Sequence, residues 1–136
     1  YYNMTLNIRV IAPDRTVWDA NAEEVILPSS TGQLGILTGH IPLLTALDIG
    51  VMRVRIDKDW VPIVLMGGFA EIDNNKITIL VNGAEETIDI DISLAQKNLE
   101  EATAKLTQAI STKDKIEATQ NIRKARARLQ AVVTIN

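Results

Sequence analysis

Apolar and polar positions alternate with a period of two along most of the chain before residue 91. Leu6, Ile8 and Val10 alternate with Asn7 and Arg9. Val51, Arg53 and Arg55 alternate with Met52, Val54 and Ile56, and Ile77, Ile79 and Val81 with Thr78, Leu80 and Asn82. This period, carried by β-branched residues, predicts half-buried strands. Turn signals punctuate it at short spacing: Ala12-Pro13-Asp14, Pro28-Ser29-Ser30, Gly39, Asp48-Ile49-Gly50, Asp57-Lys58-Asp59, Asp73-Asn74-Asn75 and Asn82-Gly83. Many short strands with regular punctuation predict an antiparallel sandwich or flattened barrel. Gly67-Gly68 interrupts one apolar strand pattern, which predicts a bulge or a close backbone approach.

The period then changes. Ala95, Leu99, Ala102, Leu106 and Ala109 step by four and three, and so do Ala118, Ile122, Ala125, Leu129 and Val132. These are two amphipathic helices with heptad-like seams. Ser111-Thr112-Lys113 separates them, and so short a connection favours an antiparallel hairpin. Asp91 or Ser93 can cap the first helix, Ser93 with Gln96 at capping-box spacing, and Asp114 with Glu117 offers that spacing for the second. Alanine alternates with larger residues along each seam, so the backbones can approach closely. The hairpin is too narrow to bury a large core, and its docking to the strand region is expected to be weak. The boundary is expected at residues 90 and 91, dividing a sandwich over 4–90 from a hairpin over 91–136.

Charge follows the same division. Thirteen acids and six bases lie between Met4 and Asp91, a balance of −7, whereas four acids and eight bases after it give +4. Opposite signs point to modules with different surfaces. At 136 residues, 46% hydrophobic and 23% charged, the composition is that of a globular chain and not a disordered one. The absence of Cys excludes disulfides and thiol chemistry. No apolar run approaches the roughly 18 residues that would span a bilayer, and no secretory signal is visible. Tyr1, Tyr2 and Asn3 precede Met4, a natural start, and read as an appended remnant.

Candidate chemistry is sparse. His40 is the single histidine and lies in a Gly-rich turn, with no second His or Cys to complete a metal set. Ser29, Ser30, Ser93 and Ser111 lack a nucleophile elbow. Glu23-Glu24, Glu85-Glu86 and the Asp89/Asp91 pair are better read as solvated carboxylates than as dyads, because consecutive strand residues point to opposite faces. Independent catalysis is not expected. Arg123-Lys124-Ala125-Arg126-Ala127-Arg128 is the one basic cluster. It rings a helix without interleaved aromatics, which disfavours nucleic acid. A solvated helix end, where cations suit the dipole, and an acidic partner surface both remain open.

The segment from Gly32 to Ala46 reads Gly-Gln-Leu-Gly-Ile-Leu-Thr-Gly-His-Ile-Pro-Leu-Leu-Thr-Ala. It resembles the signature of the epsilon subunit of F-type ATP synthases. The resemblance extends through Val25-Ile26-Leu27-Pro28, Gly50-Val51-Met52-Arg53-Val54, Gly67-Gly68-Phe69-Ala70-Glu71, Ile77-Thr78-Ile79-Leu80-Val81 and the Arg-x-Ala-Arg-Ala-Arg helix. Met4-Thr5-Leu6-Asn7, Trp18, Leu65-Met66-Gly67-Gly68-Phe69 and Arg123 to Arg128 resemble the chloroplast and cyanobacterial branch.

The resemblance implies a mainly β, α+β chain: an N-terminal ten-stranded antiparallel β-sandwich followed by a C-terminal antiparallel two-helix hairpin. It implies a non-catalytic rotor subunit held between the gamma subunit and the c-ring, coupling proton flow to ATP synthesis. Its C-terminal helices would inhibit ATP hydrolysis by meeting the catalytic alpha and beta subunits. The implied location is peripheral to the thylakoid membrane, on the stromal side in a chloroplast or the cytoplasmic side in a cyanobacterium. By the same resemblance Ser30, Thr31 and Gln33 face the c-ring, and His40, Pro42 and Leu43 face gamma. Arg123, Arg126 and Arg128 are expected in the inhibitory contact. Some relatives bind ATP between helices and sandwich. Here Glu85, Asp91 and Arg128 remain of that set, but Leu94 stands where arginine is expected, and Glu101 and Lys124 replace two further arginines. Each lost guanidinium removes charge-assisted bonds of about 1.5–3 kcal/mol. ATP binding is expected to be weak or absent, with no cofactor and no metal. The competing expectation is a free-standing β-sandwich ligand-binding module with a helical oligomerisation tail.

Overall fold

The apolar half of each alternating strand converges on one core. In the computed structural model, which describes residues 5–133, the strands are β1 (Leu6–Ala12), β2 (Arg15–Ala22), β3 (Glu24–Ser29) and β4 (Gly32–Leu37). They continue as β5 (Leu43–Ile56), β6 (Asp59–Asp73), β7 (Lys76–Val81) and β8 (Ala84–Glu86). A 3-10 turn over Thr87–Asp89 leads into α1 (Ile92–Gln108) and α2 (Thr112–Val133). The reading of Tyr1, Tyr2 and Asn3, and the outer limits at Met4 and residues 134–136, lie outside the described residues.

The strands pair in the order β2-β1-β7-β6-β5-β3-β4, with β8 also on β6. Eight strands are described, not ten, because β5 and β6 each run through both layers of the sandwich. The side that faces the core changes along both. In β5, Leu47 is buried in the core and so are Met52 and Val54; in β6, Ile63 and Leu65, then Ala70 and Ile72. A strict period of two cannot connect these sets, so each strand changes face midway. In β6 the change falls at Gly67 and Gly68, with φ of +83° and +149°. β8 pairs with β6 before that bend and β7 after it.

The sandwich is antiparallel in all its pairings but one: β1 and β7 are parallel, from Asn7↔Lys76 to Ile11↔Leu80. They are distant in sequence, so no hairpin constrains their direction. Two-residue turns behave as their residues require. Asn74 and Asn75, at φ of +49° and +63°, close β6 onto β7, as a type I′ turn demands.

Both helices start at a side-chain cap. Asp91 supplies the first, its Oδ1 accepting the Leu94 N–H at 3.1 Å. Ser111, not Asp114, supplies the second: its Oγ accepts the Asp114 N–H at 3.1 Å, so α2 begins at Thr112. The expected seam forms, with Ala95, Ala102, Ala118, Ile122 and Ala125 buried.

Candidate functional site

The hairpin reaches the sandwich through α2, while α1 rests on α2. Beyond its seam, α2 carries a second stripe of small residues. Ala127 and Ala131 are buried against Val51 of β5 and Val64 of β6, with Ile49, Met66 and Ile90 around them. The sequence signal was the four-residue spacing of these alanines, but alanine is equally favoured on a solvated helix face. Two valines and two alanines form a small dock beside the sandwich core, where Leu6, Ile8, Leu27, Met52, Ile63 and Ile79 are fully buried.

A charged contact adds to the dock. Arg128 Nε donates to Glu85 Oε1 at 2.8 Å and Oε2 at 3.1 Å, and Nη2 donates to Oε2 at 2.7 Å. Both side chains are half-buried. The hydrogen bond that Arg128 donates to Glu85 raises the Arg128 pKa further above its usual value, against a lowering by burial. The three arginines of the basic cluster therefore do not share one surface. Arg123 and Arg126 are exposed, while Arg128 is turned to the sandwich.

Glu85, Asp91 and Arg128 do come together, around a cavity of about 270 Å³ also lined by Asp89, Ile90, Leu94, Ala95 and Asn98. Three carboxylates face one guanidinium there, and that guanidinium is already paired with Glu85. Lys105, Lys124 and Glu101 line the adjoining groove between the helices. A polyphosphate in the first cavity would be repelled by the net negative charge of that lining. Among the described residues no group of three His, Cys, Asp or Glu could hold a metal ion, and no helix is long and apolar enough to cross a membrane.

The layer away from the helices carries a different surface. Ile11, Leu80, Phe69 and Ala46 lie in register across β1, β7, β6 and β5 on its outer face. Phe69 and Leu80 are 57% and 53% exposed, and Leu44, one step along β5, is 69% exposed. Leu80 stands where alternation puts polar residues, so one signal of this row was present in the sequence; Phe69 required knowledge of the bend.

Of the residues expected to face gamma, Pro42 is exposed and His40 half-buried. His40 Nδ1 donates to the Ile41 carbonyl at 2.7 Å. Leu43 packs against the sandwich core, so on this stretch the outward apolar residues are Ile41 and Leu44. The Gly39 N–H donates to Asn75 Oδ1 at 2.7 Å, tying this loop to the β6–β7 turn. Ser30, Thr31 and Gln33 are all exposed at the β3–β4 turn. The turn is braced by buried Ser29, whose Oγ lies 3.2 Å from both Thr31 Oγ1 and Thr45 Oγ1.

The described chain is thus a bent two-layer sandwich with a helical hairpin on one outer face and an exposed apolar row on the other. Residues 5–87 match the family model for the ATP synthase delta/epsilon chain, beta-sandwich domain, and residues 89–132 that for its long alpha-helix domain. The chain belongs to the ATP synthase delta/epsilon chain family. It is 77% identical over 128 residues to the chloroplastic ATP synthase epsilon chain of Porphyra purpurea, covering 94% of this chain and 96% of that one. To the ATP synthase epsilon chain of Thermosynechococcus vestitus it is 63% identical over 131 residues, covering 94% and 95%. Its fold matches a chain in the structure of the Euglena gracilis mitochondrial ATP synthase OSCP/F1/c-ring, with a TM-score of 0.84 at 21% identity over 98% of this chain and 84% of that one.

Proposed function

We propose that this chain is the epsilon-type, non-catalytic subunit of the central rotor stalk in a photosynthetic F-type ATP synthase. It would link the c-ring to the gamma subunit and couple proton flow to ATP synthesis. The observation that carries this reading is the bare row Ile11-Leu80-Phe69 with Leu44, an apolar strip on the face that no part of the described chain covers. Exposed contiguous apolar surface of this kind marks a protein interface. We assign it, with Ile41, His40 and Pro42, to gamma, and Leu43 supports that edge from the core side. The exposed polar turn of Ser30, Thr31 and Gln33 is assigned to the polar loops of the c-ring. Such a subunit sits peripherally at the thylakoid membrane, on the stromal side of a chloroplast or the cytoplasmic side of a cyanobacterium.

The hairpin is the inhibitory element. Its small dock lets it leave the sandwich at modest cost, and its exposed Arg123 and Arg126, joined by Arg128 on release, can meet acidic surface on the catalytic alpha and beta subunits. A bias of about 1–3 kcal/mol suffices to switch such an element. ATP has no part in this reading.

The test is steady-state ATPase activity of an epsilon-depleted photosynthetic ATPase core, titrated with the full chain and with a version ending at Asp91. Inhibition by the full chain alone supports both parts of the reading. Binding by both forms without inhibition leaves a coupling subunit whose hairpin is not a brake. Absence of binding overturns the assignment and restores the ligand-module alternative.

A further inference from the structure

We propose that Glu85 is a built-in mask for Arg128, a carboxylate carried by the sandwich that holds α2 down by occupying the guanidinium fork α2 would otherwise present to an acidic partner. Three observations carry it. The contact is bidentate and short, at 2.7 and 2.8 Å for its two best bonds, which is the geometry a partner carboxylate would need from the same fork. Glu85 takes the Nε–Nη2 edge of the fork, so a partner carboxylate cannot use that edge while α2 is docked. The buried apolar part of the dock is small, Ala127 and Ala131 on Val51 and Val64 with Ile49, Met66 and Ile90 at its edges, so a single well-made ion pair is a large share of what holds the hairpin.

The surroundings favour this pairing. Asp89 and Asp91 line the cavity beside Glu85, so negative charge concentrates where Arg128 lands. Lys105 and Lys124 share the adjoining groove with Arg128 and gain if it is drawn away from them. Glu85 itself sits on β8, a three-residue strand paired to β6 at Val64, the residue that also receives Ala127 and Ala131. Ion pair and apolar dock therefore form and break together. Because α1 rests on α2, the hairpin leaves as a unit.

The use of this mask as a brake rests on the inhibitory reading above, but its existence does not, and the test separates them. The chain has no cysteine, so a single introduced thiol reports cleanly. Val51→Cys lies beneath the α2 dock and Met52→Cys inside the sandwich core. In the full chain carrying Val51→Cys, Glu85→Gln should raise the thiol-labelling rate about 5–30-fold, the factor that loss of one half-buried bidentate pair corresponds to. The Met52→Cys rate should not move. Arg128→Glu alone should act like Glu85→Gln, and the exchanged pair Glu85→Arg with Arg128→Glu should restore protection. A Val51→Cys rate changed less than about twofold by Glu85→Gln, or a Met52→Cys rate that rises with it, overturns the mask.

ATPase titration then judges the function. Glu85→Gln should inhibit at a lower concentration by a factor matching the labelling change, as linkage requires. The exchanged pair should dock and yet inhibit poorly. Faster labelling without stronger inhibition leaves the mask standing and removes the inhibitory role of the hairpin.

Discussion

The two glycines at the bend of β6 give a prediction that can be worked from the geometry. At Gly67, with φ +83°, an added Cβ would meet only Asn82 Nδ2 at 3.6 Å and the Leu47 carbonyl oxygen at 3.7 Å. Space is adequate, so Gly67→Ala costs backbone strain alone, about 1–2 kcal/mol. At Gly68, with φ +149°, the Cβ would collide with the Leu80 carbonyl oxygen and approach Val81 Cα to 2.8 Å. Those are backbone atoms of the neighbouring strand and cannot rotate away. Gly68→Ala must carry the same strain and also part β6 from β7 at the Gly68–Val81 end of their ladder, next to the bend, for a total of about 4 kcal/mol. Urea unfolding followed by tryptophan fluorescence reads this, since Trp18 packs on the sandwich core and Trp60 lies on β6. With a slope of about 2 kcal/mol per molar urea, Gly68→Ala should lower the midpoint by roughly 2 M and Gly67→Ala by 0.5–1 M. Equal effects of the two substitutions, or a Gly68→Ala midpoint within about 0.5 M of the parent, would refute the account of the bend. The consequence is functional, because this bend points Val64 and Met66 at α2 and Phe69 at the opposite outer face.

Three other outcomes follow from single observations. Phe69→Asp should weaken binding to gamma at least about 30-fold in a pull-down titration while leaving the urea midpoint unchanged, since the ring is more than half exposed. Asp91→Ala removes the α1 cap and should cost about 1 kcal/mol, seen as faster exchange of the Leu94 amide with the sandwich unaffected. ATP at 1 mM should leave the thermal midpoint unmoved; a site with a dissociation constant of about 10 μM would add roughly 2.7 kcal/mol and shift it by several degrees.

Most of the candidate site was legible only in pieces. The basic cluster was visible, but not that Arg128 turns inward while Arg123 and Arg126 stay exposed. Residues 126 and 128 lie about 200° apart on a helix, so they cannot share a face, yet which of them meets the sandwich depends on how α2 is rotated against it. Leu43 and Leu44 are adjacent apolar residues in a glycine-rich segment, and only strand pairing decides that Leu43 packs on the core and Leu44 faces out.

The sequence by itself determined what local periodicity encodes: strands up to Val81, the helical seam from Ala95 to Leu129, the Asn74-Asn75 turn and the change of charge near residue 91. Each depends on neighbours within a few positions, where sterics and the apolar repeat leave few choices. Only the tertiary structure decided the parallel pairing of β1 with β7, the passage of β5 and β6 through both layers, the seating of Ala127 and Ala131 on Val51 and Val64, and the union of Glu85 with Arg128. These join residues far apart in the chain. Periodicity states which face of an element seeks cover, and the packing of the whole chain selects what covers it.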